Sequence, residues 1–143
     1  MSAPAHTPTS AAMDESGAVQ AQPRLWLRTE AAVLLVAALV AFAKTGQPWW
    51  LVPLLLLAPD LLMIGYARGT KLGATLYNLA HATPVPTALA AFGWWQDHRL
   101  ATAAGLVWLA HIGMDRLLGY GLKYDDHFQH THLGLIGGHA RHP

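Results

Sequence analysis

Four runs of apolar residues, separated by short polar turns, take up most of the chain between Leu25 and Leu118. The first is Glu30 to Ala43, extended by Leu25 to Leu27 when Arg28 lays its methylene stem along the apolar surface and keeps its charge in water. The second is Trp49 to Tyr66, the third Leu72 to Trp95, and the fourth Leu100 to Leu118. Between them lie Lys44-Thr45-Gly46-Gln47-Pro48, Ala67-Arg68-Gly69-Thr70-Lys71 and Gln96-Asp97-His98-Arg99, turns with Gly and Pro punctuation or charge. Short connections make consecutive helices antiparallel neighbours, so the pattern predicts an all-α, up-down bundle of four helices. Pro53 and Pro59 are expected to kink the second run, and Pro84 and Pro86 to break the middle of the third.

The solvent of this bundle follows from what is missing on its surface. Hydrophobic residues make up 53% of the chain and charged residues 12%, about half the usual charged share, so too few polar groups are present to coat a bundle in water. Runs of 18 residues or more are long enough to cross a bilayer, and Trp49-Trp50 and Trp94-Trp95 sit at run ends, where amphipathic rings meet headgroups. The chain is therefore read as a polytopic membrane protein whose main partner is the lipid bilayer. A net charge of +1 offers no basic field for nucleic acid. Cysteine is absent, which rules out disulfides and thiolate chemistry and leaves nine His, with the carboxylates, as the groups able to titrate or bind metal.

At 143 residues the chain holds one domain. Residues 1–23, rich in Ala, Pro, Ser and Thr, read as a disordered tail; 24–134 form the helical domain; 135–143 form a flexible end. Arg24, Arg28, Arg68, Lys71 and Lys123 fall on one side of the runs with Arg116 and Arg141, against Lys44 and Arg99 on the other. The excess places both termini in the cytoplasm.

The apolar runs carry a few polar groups, and these are the candidate site. His111 and Asp115 lie four residues apart on one helical face, as Asn78 and His81 lie three apart on another. At about 1.5 Å of rise per residue, Asp60 lies about 9 Å deep, Asn78 and His81 about 10 and 15 Å, and Asp115 and His111 about 5 and 10 Å, with Glu30 near the entry of the first helix. All six fall in the cytoplasmic half, and exposure to lipid would penalise each, so they are expected to turn inward into one buried polar site. Imidazole and carboxylate are donors for a divalent metal such as Zn, Mn or Fe. The expected ligands are His81, His111 and Asp115, with Asp60 as a fourth ligand or as the base that orients water, and Asn78 as a supporting hydrogen-bonding group.

The tail after the fourth run is too polar to cross again and is expected to fold back over the opening, bringing His132 in as a general acid. His127 and His130 are read as solvated surface residues, Asp125 and Asp126 as a solvated turn, and His139 and His142 as free of any orienting partner. Two other readings of the polar layer stay open: a proton or ion relay in a small transporter, and a structural layer in an assembly subunit without catalysis. Gly65, Gly69, Gly73, Gly105 and Gly113 permit close helix contacts, within one chain or between copies in a homo-oligomer.

The segments Ala58-Pro59-Asp60, Gly65-Tyr66, Tyr77-Asn78-Leu79-Ala80-His81, Trp108-Leu109-Ala110-His111-Ile112-Gly113-Met114-Asp115-Arg116 and Thr131-His132-Leu133-Gly134 resemble a family of small bacterial membrane proteins, domain of unknown function 4260. The resemblance spans Leu25 to Gly134 and departs from the more acidic family form at Gln129-His130. It implies a compact polytopic protein of the bacterial inner membrane and brings no reaction or cofactor. A looser similarity, to membrane-bound metal-dependent hydrolases with His and Asp on short apolar helices beside a Thr-His element, favours a hydrolase acting on a membrane-associated substrate over a transporter.

Overall fold

The computed structural model describes residues 17–19 and 21–136, so the readings made for most of the tail 1–23 and for His139 and His142 fall outside the described residues. The chain is mostly helical. Helix α1 is Ala21–Lys44, and the short α2 is Leu51–Leu56. A 3-10 helix follows at Pro59–Arg68, then α3 at Thr70–His81, α4 at Pro84–Trp95 and α5 at Arg99–Leu118. The chain closes on a small antiparallel hairpin of β1, His130–Thr131, and β2, Gly134–Leu135, with His130 opposite Leu135 and Thr131 opposite Gly134. Two helical stretches, Ala21–Lys44 and Leu51–Arg68, are long and apolar enough to cross a membrane.

The prolines decide where the runs break. Pro53 sits in the first turn of α2, where its missing N–H would have no intrahelical acceptor, so it does not kink the second run. The run breaks instead at Leu57 and Ala58, ahead of Pro59, and continues as a ten-residue 3-10 helix. At about 2 Å of rise per residue this stretch reaches further than an α-helix of equal length would. In the third run Pro84 and Pro86 fall in the first turn of α4, and Ala82, with ψ 139°, leaves the helical region to separate α3 from α4. Pro84 has no N–H for the carbonyl of Ala80; the Trp108 indole, on α5, donates to it at 2.6 Å instead. The expected break is thus present, and its freed acceptor is satisfied by a neighbouring helix.

Helix α5 is the centre of the bundle, flanked by α1 and α4, while α3 packs chiefly on the 3-10 helix. Its N-terminus is capped by His98, whose Nδ1 accepts from the Ala101 N–H, and its C-terminus by Gly119 in the left-handed conformation (φ 100°). One core cluster joins Phe42, Leu51, Ala103 and Val107, and a second joins Ala38, Leu109 and Ala110. Two glycines of α5 set the helix spacing. A Cβ on Gly113 would meet the Leu35 backbone N at 2.8 Å, and one on Gly105 the Ala90 backbone N at 2.5 Å. Gly65 and Gly73 likewise bring the 3-10 helix against α3. Gly69 differs from the expectation: nothing lies near it, and its φ of 131° shows that it makes the turn between those two elements.

Because the atoms facing Gly105 are backbone atoms, a side chain there has nowhere to go. Gly105→Val is expected to destabilise the fold by about 1–3 kcal/mol, read as a lowered midpoint of thermal unfolding by far-UV circular dichroism, whereas Gly119→Asn is expected to be tolerated.

Candidate metal centre

The 3-10 helix, α3 and α5 meet at the end of the bundle where α5 finishes, and each delivers part of one cluster. Asp60 comes from the first turn of the 3-10 helix, His81 from the last turn of α3, and His111 and Asp115 from successive turns of α5. Each offers one donor atom, and the four atoms all lie within 4.8 Å of one another. The Nε2 atoms of His81 and His111 are 3.0 Å apart. His81 Nε2 lies 3.3 Å from Asp60 Oδ1 and 3.5 Å from Asp115 Oδ2, and His111 Nε2 lies 3.6 Å from each. Donors held about 2.0–2.2 Å from a tetrahedral ion stand about 3.3–3.6 Å from one another. The cluster has close to that size.

Hydrogen bonds fix the orientation of most of these donors. The Tyr77 carbonyl can only accept, so the 2.8 Å contact to His81 Nδ1 places the proton there and leaves Nε2 with a lone pair facing the cluster. The Tyr77 ring stacks on that imidazole at 3.7 Å, and its hydroxyl donates to Asp115 Oδ2 at 3.2 Å. His81 and His111 are almost fully enclosed, at 3% and 1% exposure, whereas the Asp60 side chain is 31% exposed and gives the cluster its open edge. His111 Nδ1 has no hydrogen-bond partner among the described residues.

Two of the six groups expected in this layer stand apart from it. Asn78 clamps the tail: its Nδ2 donates to the Lys123 carbonyl at 2.8 Å, and its Oδ1 accepts from the Lys123 N–H at 2.7 Å. Glu30 is exposed and lines a separate cavity of about 210 Å³ with Arg116 and His132. His132 is therefore not among the four converging donors. Its Nδ1 accepts the Leu122 N–H at 2.9 Å, which fixes the Nε2–H tautomer.

The tail folds back as expected, and it carries groups that the sequence reading did not single out. The Lys123 ammonium is enclosed by aromatic faces, 3.2 Å from the Phe128 centroid and 4.6 Å from that of Tyr77, and donates to the Phe128 carbonyl. Burial pushes it down to about 8, while Asp115 and Asp60 pull the other way. His130 corrects the reading of a solvated residue: it is buried, and its Nδ1 binds Asp126 Oδ2 at 2.7 Å, holding that carboxyl below the usual range. His127 is exposed, as expected. The i, i+4 spacing of Tyr77 and His81 was a readable signal for the stacked pair; nothing local announced Lys123 or His130.

Fold and site together define a class: a mostly helical protein with a buried two-histidine, two-aspartate cluster at one end of its central helix. The chain belongs to the family described as Domain of unknown function (DUF4260), which it matches over residues 24–136. No curated protein and no solved structure is significantly similar to it.

Two predictions follow from the tail. Asn78→Ala removes both hydrogen bonds to Lys123 and is expected to cost about 2 kcal/mol and to raise amide exchange in 120–136, measured by hydrogen–deuterium exchange. Burial also pushes the His132 imidazole below its ordinary value, and the nearby Arg116 adds to this. The unfolded chain then takes up the proton first. This contribution to stability is complete above about pH 6.5 and is lost as pH falls toward the folded-state value. Lowering pH from about 7.5 to about 5.5 is expected to reduce the melting temperature more in the wild type than in His132→Asn, which keeps an acceptor for Leu122 but does not titrate. Equal losses would remove His132 as the source.

Proposed function

We propose that this chain is an integral membrane protein with four crossings and both termini in the cytoplasm, and that Asp60, His81, His111 and Asp115 hold a divalent cation. The third crossing is made by α3 and α4 in series. Support for the bilayer comes from the surface: Trp94 and Trp95 are 80% and 79% exposed, and Ile64 and Leu61 stand out among many large exposed apolar side chains. The excess of basic residues on the side of the termini supports the orientation.

The observation that carries the metal reading is the pairing of geometry with charge. Two carboxylates lie 3.3–3.6 Å from two imidazoles, all four donor atoms within 4.8 Å of one another, with no Lys or Arg in ion-pair contact among the described residues. A doubly charged cation offsets two carboxylates, and removing that charge from a low-dielectric site is costly. Zn, Mn and Fe all accept this donor set. Such an ion supplies Lewis acidity and a water made acidic enough to attack near neutral pH, so the reaction class favoured here is hydrolysis of a membrane-associated substrate. Asp60, the most exposed of the four, would hold the ion from the open edge of the cluster or orient a water there.

One observation favours a second reading. A ligated His111 would carry its proton on Nδ1, which has no acceptor among the described residues. A proton on His111 Nε2 instead would point at the His81 lone pair, giving a hydrogen-bonded chain that serves a relay or a structural layer without metal.

Elemental mass spectrometry on detergent-purified protein separates the two. About one equivalent of metal per chain is expected, lost in His111→Ala and in Asp115→Ala with helix content retained. Metal-free protein that is fully folded would overturn the metal reading and leave the relay to be tested by proton flux in liposomes.

A further inference from the structure

At the end of the bundle away from the cluster, α1 and α4 lie against α5 from two sides and leave between them a groove of about 700 Å³. Its walls are small and apolar, with Ala41 of α1, Ala90 and Ala91 of α4, and Leu106 of α5. Its rim is charged: Lys44, Arg99 and Asp97 all line it. Lys44 and Arg99 are exposed, and neither is ion-paired among the described residues.

These two cations are also the two that break the charge asymmetry of the chain. The other Lys and Arg among the described residues lie on the side of the termini or toward it, yet Lys44 and Arg99, far apart in sequence, come to the rim of one groove. The exposed pairs Trp49-Trp50 and Trp94-Trp95 flank the same end, which is the level at which such rings meet headgroups. The groove thus has an apolar body as long side chains or acyl chains require, a net rim charge of one positive unit, and an opening at headgroup height.

From this juxtaposition we infer that the groove is a binding site for an anionic phospholipid of the outer leaflet, with one acyl chain between α1 and α4 and the phosphodiester on Lys44 and Arg99. Asp97 leaves the rim with a single net positive charge, matched by a lipid whose only charge is its phosphate. The inference rests on the membrane placement proposed above and is independent of the metal.

The test uses the full chain in detergent. Native mass spectrometry compares retention of phosphatidylglycerol and of phosphatidylcholine with the same acyl chains, in the wild type and in the Lys44→Ala/Arg99→Ala double variant, whose substituted side chains are exposed and whose helix content is checked by circular dichroism. Phosphatidylglycerol is expected to be retained about fivefold more than phosphatidylcholine, with the preference abolished in the double variant. Equal retention of the two lipids, or a preference unchanged by the double substitution, would overturn the site. Carbonate extraction of the membranes of the expressing cells keeps the two levels apart: a chain that stays in the pellet without lipid preference defeats only this inference, and one released into the supernatant defeats the membrane placement with it.

Discussion

Two carboxylates held against two imidazoles form the constraint around which one end of the molecule is arranged. Each group alone would be costly to bury, and together they are tolerable when their donors point at a common centre and most of their remaining atoms are satisfied, His111 Nδ1 being the exception among the described residues. That requirement reaches outward. The His81 ring is fixed by the Tyr77 carbonyl, stacked on by the Tyr77 ring, and backed by a phenol that reaches Asp115. The residue that starts this support lies one turn before the histidine it supports.

The same arrangement explains why α3 stops where it does. A helix carried past His81 would take that residue's backbone into the next turn; the prolines at 84 and 86 end it instead. The carbonyl of Ala80, deprived of its donor, is taken by Trp108, a residue one turn ahead of His111 on α5. A helix break, an interhelical hydrogen bond and the delivery of one histidine to another are thus parts of one local solution. Arg116 adds a bond from α5 to the His81 carbonyl, and the Asn78 clamp extends the arrangement to the tail, which also meets the segment ahead of α1 through the Val19 N–H bond to the His132 carbonyl.

The two ends of the bundle are built differently. Toward the cluster, Gly113 lets α1 lie directly on α5, and Gly65 and Gly73 do the same for the 3-10 helix and α3. At the far end α1 and α4 leave the groove between them, bordered by charge. Close backbone contact brings α1 onto α5 where the polar donors gather. At the other end α4 is the helix held against α5 by such contact, at Gly105 and Gly93, and the volume lies between α4 and α1.

Helical class, the approximate limits of the runs, the break in the third one and the six polar groups from which the cluster is drawn were legible in the sequence, because they rest on local physics: apolar run length, proline's missing N–H, and the cost of an ionisable group in an apolar helix. Local physics could not say which polar residues would meet. Glu30 and Asn78 share the depth of Asp60 and His81, but depth fixes position along the bundle axis and leaves the rotation of each helix free; rotation is set by the glycine contacts between helices. His132 and His130 lay in a segment without periodicity, so their burial depended on where the tail docked. The sequence by itself determined which side chains were too costly to leave alone in an apolar setting. Only the tertiary structure decided which of them became each other's partners, since that choice is made by distances of a few ångströms between helices far apart in the chain.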